Sequence, residues 1–352
     1  MNLSQLGRRK FLNQLFAYVA PGLLVIAIAS CSSPSNQANS GTATNKSPSA
    51  NPASSGEPGR VLRVGFISSD SKVPIGPEGW AQQKGDLLQT LQTLGISEVK
   101  FIPFDGGPAL NEALSSNQLD LAFYGDTPAL VGRSAGLKTK LINQARVGQD
   151  AWLITRKEGV QTVEELRGQR VGVAKGTYLH RYLLGLLEQK GLVTAVKVVQ
   201  IKSSDARSAL ERGDIAAYPF ATGIGPILLE KGGFKSIDQA KNHKDLVGTS
   251  VSIITEEALA NYPQLPQKWN QVRQKALAEI RSNPDAFYQF AVKSSGNLSL
   301  ANVKESYAIE LYPTEPCTPD GLKLLNSTKQ FLADQKLLKS DFEIKDWQVA
   351  NP

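Results

Sequence analysis

Histidine, cysteine and methionine are nearly missing from this chain of 352 residues, which has two histidines, two cysteines and one methionine. His180 and His243 stand far apart, with no cysteine or carboxylate pattern beside them. That spacing excludes an ordinary zinc site. No Gly-rich phosphate loop followed by Lys-Ser/Thr is present, and no nucleophile turn is read between a strand and a helix. No catalytic arrangement, metal or cofactor is therefore expected. Charge of one sign is also scarce. The net charge is +7, and setting aside Arg8, Arg9 and Lys10 of the amino-terminal segment brings it to +4. So mild an excess gives no sign of nucleic-acid binding.

An unbroken long apolar run is missing too. The stretch after Lys10, "FLNQLFAYVAPGLLVIAIAS", is interrupted by Asn13, Gln14 and Pro21-Gly22. This argues against a retained membrane span. A basic region, an apolar region and small residues before Cys31 read instead as an export signal over residues 1–30. "IASC" resembles the lipobox of bacterial lipoproteins, in which the cysteine, here Cys31, becomes the lipidated first residue. "RRKFL" resembles a twin-arginine signal, and general secretion stays open beside it. Residues 31–60 are Ser, Asn, Ala, Pro and Gly without apolar periodicity. Such a segment buries too little to offset its ordering entropy and reads as a tether between lipid and fold. Cys317 then has no partner and reads as a small packing residue.

From Val61 onward, strand and helix patterns alternate. "VLRVGFI", "VKFIPF" and "LDLAFYG" read as strands around helices in "WAQQKGDLLQTLQTLG" and "PALNEALSSNQ". "KTKLINQARV" and "AWLITRK" are further strands. A second series follows in the same order, from "QRVGVAKG" through "IAAYPF". This alternation predicts an α/β fold of two lobes, each a mostly parallel sheet flanked by helices. Residues 61–150 and 247–352 are assigned to lobe 1 and residues 151–246 to lobe 2. "VGTSVSIIT" reads as the return crossing. The rest is mainly helical, with Pro284 dividing one long amphipathic stretch.

"LDLAFYGDTPALVGRSAG" runs from an apolar strand through Gly125-Asp126-Thr127-Pro128 into a helix. The spacing predicts a helix starting at Pro128 with Thr127 as its cap. In open α/β sheets, ligands bind beyond the carboxyl ends of strands, where helix N-termini offer free N–H groups. A glycine there lets backbone approach a ligand.

Four segments in succession over residues 60 to 260 carry a family resemblance: "LRVGF", "FIPFDGGPALNEALSSNQLDLAFYGDTPAL", "ELRGQRVGVAKGTYLH" and "SSDARSALERGDIAAYPF". Together they resemble the extracytoplasmic solute-binding proteins of ABC importers of the aliphatic sulfonate, taurine and nitrate type. The resemblance implies a two-lobed class II periplasmic binding protein fold with the ligand cleft between the lobes. It implies a monomer that takes a small oxyanion and hands it to a membrane permease. Ligand turns carry over to Gly106, Gly107 and Pro108, to Gly125, Asp126 and Thr127, and to Lys175, Gly176, Thr177 and His180. Ser68 and Ser69 after the first strand join the candidates, and Asp205 and Ala206 match the start of the next helix. The family often has Trp and Asp-Pro-Tyr after the last of these segments. Here the chain reads Ala217-Tyr218-Pro219-Phe220, which leaves the ligand's identity open.

Three helix starts, near Pro108, Pro128 and Thr177, would suit an oxyanion such as a sulfonate without an ion pair. Lys175 and His180 read equally as solvated or capping residues. Asp126 reads as a turn residue bonded to backbone, or as a contact for a ligand amine. Tyr218 and Phe220 would receive an organic tail or pack in the core. Nitrate or bicarbonate capture, an exported enzyme and a sensor module are the alternatives, and the export signal weighs against the cytosolic enzymes known on this fold.

Overall fold

The computed structural model describes residues 60–68, 71–296 and 298–350. The export signal, Cys31, the tether up to residue 59 and Ser69 lie outside the described residues. Ten strands are present among them: β1 (Arg60–Ile67), β2 (Ile96–Phe104), β3 (Leu121–Gly125), β4 (Thr139–Gln149), β5 (Ala151–Arg156), β6 (Arg170–Val173), β7 (Lys197–Gln200), β8 (Tyr218–Ala221), β9 (Phe234–Gln239) and β10 (Gly248–Thr255). The helices are α1 (Pro77–Lys84), α2 (Asp86–Leu91), α3 (Gly107–Ser115), α4 (Asp126–Ser134), α5 (Tyr178–Gln189), α6 (Ser203–Arg212), α7 (Gly225–Glu230), α8 (Glu256–Asn261), α9 (Leu265–Ser282), α10 (Pro284–Ser295), α11 (Leu300–Ser306), α12 (Pro319–Asp334) and α13 (Ile344–Trp347).

The first sheet has the order β2-β1-β3-β10-β4. Strand β1 runs parallel to β2 and β3, while β10 is antiparallel to both β3 and β4. The carboxyl ends of β1, β3 and β4 therefore share one edge with the amino end of β10. Ser250 pairs with Gly125 on one side and with Arg146 on the other, so these three residues form a row near that edge. Helices cover both faces. Trp80, Leu87, Trp269, Leu277 and Phe287 fill one side, and Leu110, Leu130, Leu325, Leu332 and Trp347 the other. Each such side chain contributes about 1.5–3 kcal/mol by burial. Packing of this size holds the strand ends in place before any ligand arrives.

In the second group, β5 is antiparallel to β8 and β9, and β6 pairs parallel with β7. A bridge between Val171 and Ala217 joins the two pieces. The mostly parallel sheet expected here is thus a correction: this sheet is mixed. Strand β5 enters straight from β4, with only Asp150 between them. No crossover helix precedes it, and parallel pairing needs one.

Two local expectations also change. Helix α4 begins at Asp126, with Gly125 as its cap, two residues before the expected start at Pro128. Thr127 lies in the first turn and not at the cap, and its N–H donates to the Asp126 carboxylate. Strand β9 was not read in the sequence, because Phe234–Gln239 is half-buried throughout and shows no alternation. The break at Pro284 does appear: α10 starts there, with Asn283 accepting from the Ala286 N–H.

Candidate ligand-binding site

A cavity of about 230 Å³ opens at the shared edge of the first sheet. Ile67 and Ser68 after β1, Gly125 at the end of β3, Arg146 and Gln149 of β4, and Ser250 of β10 line it from that side. Ala221 and Thr222 at the end of β8, and Tyr178 at the start of α5, line it from the second group. Tyr307 and Tyr312, from the segment after α11, close it together with Ser71, Pro74, Ile75 and Glu78. Strand carboxyl ends and helix starts are where an open α/β sheet places ligands.

The charged groups in this wall are Glu78 and Arg146. Glu78 is already paired. Its Oε1 lies 2.8 Å from Nη1 of Arg273, both side chains are almost fully buried, and Arg273 also donates to the Ala145 carbonyl at 2.7 Å. Arg146 has no such partner among the described residues. Its Nη1 is buried without a hydrogen bond, and its guanidinium lies 5.7 Å from the ring centroid of Tyr307. A buried donor left unpaired costs about 1–3 kcal/mol, more when charged. An anion in the cavity would be drawn to this charge, which has no carboxylate partner among the described residues. Hydroxyls of Ser68, Thr222 and Ser250 stand around the same space. Ser68 is held by its own N–H donating to Phe104 O and by its Oγ accepting from Ser71 N.

Of the residues singled out in the sequence, Ser68 and Gly125 line the cavity. Asp126 and Thr127 sit behind it, fully buried. Asp126 Oδ1 accepts from the N–H and the hydroxyl of Thr127, and Oδ2 accepts from Thr249 at 2.8 Å and Thr328 at 3.0 Å. Gly106 caps α3 and Gly107 starts it, away from the lining. A Cβ on Gly107 would stand 2.3 Å from the Pro128 ring, so this glycine lets α3 meet α4.

In the second group, Gly176 takes the left-handed conformation, with φ of 76°. Thr177 caps α5, accepting from His180 N and donating to Ala174 O. His180 packs edge-on against Phe331, and its Nδ1 accepts from the Gly176 N–H. Burial, helped by the Lys175 charge, lowers its pKa to about 4. The neighbouring Tyr178, rather than Thr177 or His180, reaches the lining. Lys175 and Asp205 are exposed, and Ala206 is buried in α6. Tyr218 and Phe220 are core residues. Their rings are 4.8 Å apart in a cluster with Trp152 and Leu210, and the Tyr218 hydroxyl lies 3.1 Å from Ser203 Oγ. Cys317 is a half-buried free thiol whose pKa burial raises.

The sequence reading passed over Arg146, although a signal for it exists. In "LINQARVGQD" an arginine follows five buried strand residues, Leu141 to Ala145, shortly before the crossing into β5. It also found no G-x-S-x-G turn, although the letters Gly132-Arg133-Ser134-Ala135-Gly136 match that pattern. Ser134 ends α4 and does not sit on a strand-to-helix turn. Its Oγ donates to Val131 O at 2.8 Å and accepts from Lys339 N, which is a structural arrangement. Among the described residues, no group of three or more His, Cys, Asp or Glu is placed to hold a metal ion. No described helix is long and apolar enough to cross a membrane.

The profile of the family described as NMT1/THI5 like matches residues 95–287. A relative from Bacillus subtilis (strain 168), named "Putative aliphatic sulfonates-binding protein", is 26% identical over 296 residues, 82% of this chain and 85% of the relative. The crystal structure of the periplasmic aliphatic sulphonate binding protein SsuA from Escherichia coli superposes with a TM-score of 0.68 at 20% identity, over 82% of this chain and 97% of that one. The desulfurization enzyme DSZB superposes with a TM-score of 0.65 at 18% identity, over 82% and 96%. The fold is that of the periplasmic binding proteins. A binding protein and an enzyme share it, so the fold alone does not choose between them.

Proposed function

The chain belongs to the NMT1/THI5-like family, and from that premise we propose that it is the exported, lipid-anchored solute-binding component of an ABC importer, capturing a small oxyanion, an organosulfonate before others. The observation that carries this reading is Arg146. It brings a positive charge, without a carboxylate partner among the described residues, to the wall of a cavity whose single carboxylate is taken up by Arg273. A planar guanidinium suits an oxyanion through paired N–H bonds. The sequence reading expected capture without an ion pair. The present reading replaces that with a charge-assisted site ringed by hydroxyls.

Relatives named for aliphatic sulfonates support the ligand class. The lining has no histidine or cysteine, which supports a binder over a hydrolytic enzyme on the same fold. The export signal and Cys31 support a site of action outside the cytoplasm, close to the membrane where a permease waits. The two groups of strands act as lobes. Residues 61–150 and 247–352 form one and 151–246 the other, and the lobes close on the ligand about the crossings at Asp150 and before Gly248.

Calorimetric titration of the full chain against ethanesulfonate, nitrate and bicarbonate tests the reading. A sulfonate should bind saturably and the inorganic anions more weakly. No heat from any sulfonate at millimolar concentration would end the proposal. Cys31→Ser should leave the chain unprocessed or off the membrane, and unchanged fractionation would remove the lipid anchor from it.

A further inference from the structure

Three aromatic rings in the cavity wall are buried only in part: Phe123, Tyr178 and Tyr307. They come from three separated segments, β3, the start of α5 and the segment after α11, and they meet at the same space as the Arg146 guanidinium. Resting on the oxyanion reading above, we propose that the ligand is a monocyclic aryl oxyanion, of the size and shape of benzenesulfonate, with its head at Arg146 and its ring against these three side chains.

The rings are set in place by the protein. Phe123 stacks on Phe66, with centroids 5.8 Å apart and planes 20° apart. Tyr178 donates its hydroxyl to Asp150 O at 3.0 Å. Its ring lies so close over Gly248 that a Cβ there would stand 2.6 Å from it. With that hydroxyl engaged, Tyr178 has its ring to offer a ligand. Tyr307 already carries the flat guanidinium of Arg146 beside its ring. A flat apolar group covers such surfaces better than a chain does, through stacked and edge-to-face contacts. A ring also gives up no rotamers on binding, whereas an alkyl tail does.

Size agrees with this. A cavity of about 150 Å³ is enough for benzene. The 230 Å³ available here holds such a ring and leaves space for a tetrahedral oxyanion head.

The test compares benzenesulfonate with hexanesulfonate, matched in carbon number, by calorimetry on the full chain. Neutral benzenesulfonamide and the variants Tyr307→Leu and Tyr307→Phe complete the set. Wild type should prefer benzenesulfonate over hexanesulfonate by roughly threefold to tenfold. Tyr307→Leu should bring that ratio toward one even if both affinities fall, and Tyr307→Phe should keep it. Benzenesulfonamide should bind far more weakly than benzenesulfonate. Equal or tighter binding of hexanesulfonate, or a ratio unmoved by Tyr307→Leu, overturns the aryl assignment and leaves the oxyanion reading standing. Binding of benzenesulfonamide as tightly as benzenesulfonate, or of neither sulfonate, overturns the oxyanion reading and this inference with it.

Discussion

Arg146 and Tyr307, 161 positions apart in the chain, meet with the guanidinium 5.7 Å from the ring centroid, and the buried Nη1 of Arg146 has no other partner among the described residues. A charge held ready in this way belongs to a ligand or to nothing. Arg146→Gln should weaken sulfonate binding by roughly tenfold to a hundredfold, the loss of about 1.5–3 kcal/mol in charged hydrogen bonds. The ligand-free protein should melt no lower than wild type, because the substitution removes an unpaired donor. Titration and a ligand-free melting curve read the two effects separately. A large drop in melting temperature would assign Arg146 to the fold instead.

Gly125 gives a complementary test. A Cβ there would meet the Pro128 ring at an ordinary 3.6 Å, and the backbone φ of −58° suits any residue. Gly125→Ala should therefore fold like wild type. Since Gly125 lines the cavity, the added methyl should lower affinity by about tenfold. Wild-type affinity would show that no ligand atom comes near this turn.

Asp126 should matter to stability first. It is fully buried and accepts four hydrogen bonds, from Thr127 twice, Thr249 and Thr328. Asp126→Asn turns a donor toward donors and removes the charge they share. A loss of about 2–4 kcal/mol in urea unfolding is expected. Near-wild-type stability together with lost binding would instead make Asp126 a ligand contact.

His180 makes stability depend on pH. Its pKa is lowered to about 4 by burial and then by Lys175, from 6.5 in the unfolded chain. The fold keeps the neutral form, so the contribution is whole above about pH 6.5 and is lost as pH falls toward 4. The full loss is about 3 kcal/mol. Urea unfolding at about pH 7 and pH 4.5 should show wild type losing about 2 kcal/mol more than His180→Gln. Equal losses would mean that this imidazole takes up protons alike in the folded and the unfolded chain.

Closure of the two groups of strands on a sulfonate should reduce the radius of gyration in small-angle scattering. Identical profiles with and without saturating ligand would count against a moving cleft.

The fold was legible wherever one side of an element is buried. Leu62, Val64 and Phe66 alternate along β1, and α9 places Trp269, Val272, Ala276 and Ile280 at helical spacing. Strand β9 was not legible, because a half-buried strand leaves no alternation to read. The site was legible as turns and not as side chains. Gly125 and Ser68 were found because a glycine or serine after a strand has a local meaning. Arg146 has none: its role depends on Arg273 taking Glu78 and on Tyr307 arriving from the far end of the chain. Thr127 was misplaced for the opposite reason. The local pattern fitted a cap, and the helix begins at Asp126 instead, with Gly125 as its cap.

Strand β10 lies inside the first sheet, between β3 and β4, yet it is made after the whole segment 151–246. The order of synthesis therefore runs against the order of assembly. The contiguous second group can form as soon as it is made, while the first sheet must wait with a gap between β3 and β4 until Gly248–Thr255 has emerged. The chain thus carries its own delay: more than half of it is translated before its largest sheet can close, and the row of Gly125, Ser250 and Arg146 comes into being only at that last insertion.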